Sequence, residues 1–137
     1  MLWKHLAKAG LINGSYSGII ITPHPWSSSA GVNVPASRNS PNGWISFTTG
    51  PSFDPNYNTN MRHSLSYGKP YIHGIEETLT IQEIWNIDNK IDDAKPSSGE
   101  VLCPSFTNCA NSNTNAIDSE YVLTNDIKSP IVFRDAY

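Results

Sequence analysis

The sequence predicts an α+β domain, loop-rich, in which an antiparallel β-sheet packs against helices. Three observations lead there. Apolar residues recur at helical spacing near the N-terminus and again over residues 81–91, while shorter runs alternate apolar and polar residues between turn formers. Only 15% of the 137 residues are charged, against about 25% in an ordinary soluble domain, so Asn, Ser and Thr carry the remaining polarity. Ten Pro and nine Gly interrupt the chain, which suits short strands and loops better than long helices. The length fits a single domain, residues 1–137, able to bury a core of its own.

The opening LWKHLAKAGLINGSY reads as a short helix. Leu2, Leu6 and Ala9 share a face with Trp3 and His5 beside them, and Gly10 or Gly14 supplies the left-handed stop. So short a helix is marginal in isolation, so its apolar face needs a neighbour. Residues 18–22, GIIIT, read as a strand that the following PHP ends, because proline cannot donate to a sheet ladder. Residues 26–43 form a long surface loop with a short strand around 32–34, closed by the Asn42-Gly43 turn signal. Residues 44–49 alternate as a half-buried strand does. After a second loop, GPSFDPNYNTN, residues 62–67 and 69–73 suggest two short strands on either side of Gly68. Thr78 or Thr80 caps a helix running to about Asp92, with Glu83 in its acid-favoured early turns. Pro96 and Gly99 mark the exit, and residues 100–102, 121–124 and 131–133 suggest further strands.

Charge and cysteine usage narrow the function classes. Twelve acidic against nine basic residues give a net charge of −3, the wrong balance for a phosphate backbone, so nucleic acid is not an expected partner. No apolar run reaches the roughly 20 residues of a membrane span, and the N-terminus lacks the apolar core and cleavage site of a signal peptide. Cys103 and Cys109, in CPSFTNC, fall outside the C-x2-C spacings of zinc and redox motifs. A disulfide closing a short loop is preferred over free thiols, and it requires an oxidising compartment.

Catalysis finds little support. His5, His24, His63 and His73 include no i,i+4 pair, and neither H-E-x-x-H nor G-x-S-x-G occurs. Ser15 and Cys103 have no recognisable base partner, so no enzyme activity is expected. His5 is expected to pack with Trp3. The rival to a structural role is a secreted carbohydrate- or ligand-binding module, in which a loop aromatic such as Trp26 or Tyr57 is the platform; Trp3, Trp44 and Trp85 lie in elements where a core role explains them.

Residues 84–99, IWNIDNKIDDAKPSSG, hold the sharpest anomaly. At about 100° per residue, Ile81, Ile84, Trp85, Ile87 and Ile91 form an apolar stripe with Lys90 on the far side. Asp88 and Asp92 fall inside that stripe, stacked on one face. A buried carboxylate is costly unless it is hydrogen-bonded or paired. Three readings compete for Asp88, Asp92 and Asp93. They are structural carboxylates accepting N–H bonds from the KPSSG segment, or calcium ligands together with loop carbonyls, or a catalytic pair, which nothing nearby in sequence completes.

Two stretches, taken together, resemble the globular region of bacterial type IV pilin-like proteins. WKHLAKAGLINGSYSG is similar to that family's W-x-H-L-x-x-A-G-L-I-x-G at Trp3, His5, Leu6, Ala9, Gly10, Leu11, Ile12 and Gly14. IDNKIDDAKPSSGEV is similar to its I-D-x-K-[IL]-D-D-G-x-P-x-x-G-x-V at Ile87, Asp88, Lys90, Ile91, Asp92, Asp93, Pro96, Gly99 and Val101. The resemblance implies a pilin-like head with an antiparallel sheet on helices and a disulfide in the C-terminal region. It also implies a structural subunit of a type IV pilus or of a type II secretion pseudopilus, periplasmic or extracellular, without a cofactor unless calcium is bound. Its partners would be other pilin subunits or a separate chain carrying the N-terminal pilin helix. Such proteins begin with a leader and a long apolar helix that this sequence does not contain; a shortened chain, a fragmentary reading frame or a separate polypeptide would each explain this. Leu2, Trp3, Leu6 and Ala9 then form a docking surface for the filament helix. Ala94 stands where the family has glycine, so either the turn is made differently or the helix runs on towards Pro96.

Overall fold

Helix formation after residue 80 follows directly from local chemistry. Thr80 is the N-cap of α2 (Ile81–Ile91): its hydroxyl accepts the Glu83 N–H at 3.2 Å, and the Glu83 carboxylate accepts the Thr80 N–H at 2.8 Å. This reciprocal capping box satisfies two backbone donors that a helix start leaves orphaned. Ile81 and Ile84 on the inner face are fully buried, each contributing roughly 1.5–3 kcal/mol by leaving water.

The computed structural model describes residues 2–19, 28–38, 43–47, 64–71, 74–104, 107–111, 119–126 and 128–134. The remaining elements are α1 (Leu2–Lys8), β1 (Gly43–Phe47), β2 (Ser64–Tyr71), β3 (Gly74–Glu76), β4 (Leu79–Thr80), β5 (Val101–Leu102), β6 (Lys128–Ser129) and β7 (Ile131–Phe133). This is an α+β architecture with antiparallel pairing throughout the named strands. The main sheet runs β1-β2-β7-β5, with β3 paired to the far end of β2, and β4 and β6 make a separate two-stranded ribbon just before α2.

Register decides which side chains meet α2. Leu65 pairs with Phe133 and Phe133 with Val101, while Tyr67 pairs with Ile131. Because strand side chains alternate, these residues share one face of the sheet. There Val101 and Ile131 join Ile81, Ile84, Cys103, Cys109 and Tyr121 in the main core, with Tyr67, Trp85, Ile87 and Phe133 packed against it. Leu102 and Val132 point the other way and form a second small cluster.

Several expectations change. The two strands expected around Gly68 are one, since β2 runs through Gly68 opposite Gly43. A side chain at Gly43 would meet the Pro35 carbonyl at 3.0 Å, a tight approach that favours glycine there. Residues 121–124 are not a strand: Tyr121 makes only an isolated bridge to Ala110. The strand expected around 32–34 is a turn with an isolated Ala30–Val34 bridge. Gly18 and Ile19 are in neither helix nor strand, and residues 20–22 lie outside the described residues. Ile91, expected in the apolar stripe, is the last residue of α2 and is 60% exposed. α1 ends before Gly10, at φ +72. None of its residues is fully buried: Leu2, Trp3 and Leu6 are half-buried and His5 and Lys8 exposed, as is Ala9 just beyond its end. No described helix is long and apolar enough to cross a membrane.

Candidate functional site: the aspartate turn and the disulfide loop

α2 ends where its backbone turns outward at Asp92, whose N–H still reaches the Asp88 carbonyl at 2.7 Å. Two residues on, Ala94 takes φ 59, the left-handed conformation that glycine adopts most easily. The helix does not continue towards Pro96; the turn is the one a glycine would make, with an alanine in it. Asp88 holds this turn. Its side chain is fully buried, Oδ1 accepts the Ala94 N–H at 3.0 Å, and Oδ2 accepts the Tyr121 hydroxyl at 2.7 Å.

The other two carboxylates serve later parts of the same segment. Asp93 accepts the Lys95 N–H at 2.9 Å and the Ser98 hydroxyl at 2.7 Å. Asp92 Oδ2 accepts the N–H of Glu100 and, at 2.8 Å, that of Val101. Cys103 N–H donates to the Pro96 carbonyl at 2.8 Å, so the N–H groups of Val101 and Cys103, which face away from β7, both have acceptors. Gly99, at φ +71, passes so close to Asp92 that an added side-chain carbon would sit 2.6 Å from Asp92 Cγ. Asp88, Asp92 and Asp93 thus bind the chain from Ala94 to Val101.

Burial pushes the Asp88 carboxyl up from 3.8 to about 6. The hydrogen bonds from Tyr121 and Ala94 favour the charged form and oppose that rise, and the negative charges of Asp93 and Asp92 reinforce it. One oxygen from each of the three carboxylates lies within 4.8 Å of the others. Each carboxylate is already met by two N–H or O–H donors of the chain itself, bonds that a calcium ion would have to share or displace.

A disulfide joins Cys103 to Cys109 with their Cα atoms 6.4 Å apart, and both residues are fully buried. Asn108 makes the turn at φ 54, and Thr107 braces it by donating its hydroxyl to the Pro104 carbonyl at 2.7 Å. The loop is tied to the segment after residue 118: Val122 N–H reaches the Cys109 carbonyl at 2.8 Å, and Asn111 N–H reaches the Glu120 carbonyl at 2.9 Å. Ser97 and Ser119 add a buried hydroxyl pair. Through Tyr121 the aspartate turn and the disulfide loop become one connected layer beside α2.

Beyond the C-terminal end of α2 a groove of about 410 Å³ crosses the sheet face, lined by Trp44, Leu65, Ile91, Val101 and Phe133 with Glu100 and Arg134. The Trp44 ring lies 4.9 Å from that of Tyr67 and 6.0 Å from that of Phe133. The loop aromatics named from the sequence, Trp26 and Tyr57, lie outside the described residues, as do His24, His63 and His73. Sequence reasoning missed Tyr121, which is 33 positions from its partner Asp88 and carries no local signal. Comparison with known protein families, curated proteins and solved structures finds no match to this chain.

Proposed function

We infer that the chain is the globular head of a type IV pilin-like or pseudopilin subunit, a non-catalytic part of a bacterial filament in the periplasm or outside the cell. The observation that carries this reading is the behaviour of residues 87–101. The segment that resembles the family pattern closes on itself as one hydrogen-bonded unit, with each of its three aspartates holding a different stretch of the chain. Such a unit suits a domain that must keep a surface in shape and has no reaction to perform. The antiparallel sheet and the disulfide, which belongs in an oxidising compartment, support the same reading. Leu2, Trp3, Leu6 and Ala9 then face the filament helix; of the loops that this reading presents outward, 26–43 lies partly and 51–60 wholly outside the described residues.

Immunogold electron microscopy with an antibody against this chain tests the reading. Label along surface filaments or in the periplasm, lost when the gene is deleted, is expected; label confined to the cytoplasm, with filaments and secretion unchanged by the deletion, overturns it. The aromatic groove beside Trp44 favours the second reading, a secreted binding module. Perturbation of Trp44 and Phe133 NMR signals by a saccharide panel supports that alternative, and an unperturbed spectrum removes it.

A further inference from the structure

Asp88 sits where burial and two like charges resist ionisation, against two hydrogen bonds that favour it. Its carboxyl is fully buried and meets one N–H, from Ala94, and one O–H, from Tyr121. The charged groups close to it, Asp92 and Asp93, have the same sign, with one oxygen of each within 4.8 Å. Lys95 and Glu120, the sequence neighbours of Ala94 and Tyr121, pair with each other at 3.9 Å. The residues of α2 that pack with Tyr121 in the core, Ile84, Trp85 and Ile87, are apolar. A tyrosine hydroxyl either donates to a carboxylate or accepts from a carboxylic acid. Neutral Asp88 therefore keeps both partners while losing the repulsion from its two neighbours.

We propose that Asp88 is a pH-operated fastener: taking up a proton tightens the union of α2 with the Tyr121 segment and the disulfide loop, and losing it loosens that union. The sign follows from linkage. Burial holds the folded carboxyl at about 6, above its ordinary 3.8, so the native state keeps a proton that the unfolded chain has given up, and the grip weakens as pH rises through about 6. The head is thus held more firmly in acidic surroundings than in neutral ones, without any change of partner.

The test compares thermal melts of the wild type and Asp88→Asn between pH 4.5 and 8. An asparagine keeps an acceptor for Ala94 and gives Tyr121 a donor, so it imitates the protonated state at every pH. The variant is expected to melt above the wild type at pH 8, with the difference closing towards pH 4.5; a difference independent of pH overturns the proposal. A second measurement needs no variant. The carboxyl carbon shift of Asp88 in labelled wild-type protein should titrate near 6, and exchange protection at the Ala94 and Val122 amides should rise, by about tenfold for each unit of pKa displacement, as pH falls through that midpoint. Titration in the ordinary carboxylate range, or protection that ignores pH, overturns it equally.

Discussion

Replacing Gly99 with alanine isolates the closest approach in the aspartate turn. Two costs combine. Gly99 sits at φ +71, and the added carbon would lie 2.6 Å from Asp92 Cγ and 2.7 Å from its Oδ1. The left-handed conformation costs an alanine about 1–2 kcal/mol relative to glycine. The collision also drives the Asp92 carboxylate off the N–H groups of Glu100 and Val101. Glu100 is exposed and water replaces its acceptor, but Val101 is buried, and a buried donor left without a partner costs about 1–3 kcal/mol. The sum is about 2–5 kcal/mol, a fall of roughly 10–20 °C in melting temperature for a domain of this size. Gly31→Ala is the control. At φ +77 with nothing within 4 Å of the added carbon, it reports the conformational cost alone. Calorimetry on both variants, and on Gly99→Ala combined with Asp92→Ala, separates the contributions. The double variant should cost less than the sum of the singles, because removing the carboxylate removes the obstacle. Strict additivity, or equal melting of the Gly99 and Gly31 variants, refutes the argument that Asp92 occupies that space.

Other outcomes follow from the same layer. Asp88→Ala removes the acceptor of the part-buried Ala94 N–H and of the buried Tyr121 hydroxyl, so near pH 4 urea unfolding should show a loss of about 1–3 kcal/mol. That loss should shrink towards pH 7, since the wild type itself gives up about 3 kcal/mol between its unfolded value of 3.8 and its folded value of about 6. Reducing the Cys103–Cys109 bond, which closes a short loop with a sequence separation of 6, should cost about 2–3 kcal/mol, visible as a lower melting temperature with a reductant. Millimolar calcium should leave the melting temperature where equal ionic strength of sodium leaves it. A rise by mass action would make the aspartates ligands instead of fasteners.

What could be read from the sequence was what is decided locally. α2 announced itself through Thr80, Glu83 and an apolar stripe within one short window, and Asp88 stood out because a carboxylate fell inside that stripe. β1 and β7 showed strand patterns of their own. The continuity of β2 did not, because Gly68 looks like a break until Gly43 is placed opposite it. β4 and β6 are two residues each, too short to display any period. The groove draws Trp44, Leu65, Ile91 and Phe133 from separate elements, and only strand register brings them together. Tyr121 as the partner of Asp88 is likewise a product of the fold. Ile91 obeyed the helical period and is exposed all the same, since periodicity gives a direction without saying how closely other elements pack against it.

The outward rim of β5 has a bearing on assembly. Its free donors are already taken by a carboxylate and a carbonyl of the chain itself, Asp92 and Pro96, so an extended segment from another molecule finds no ladder there to continue. Copies brought together at high density are kept from zipping into a shared sheet along this border. Any ordered array they build on this side must rely on surfaces whose geometry is set by side chains, and such contacts can be tuned one residue at a time, which a continuous backbone ladder does not permit.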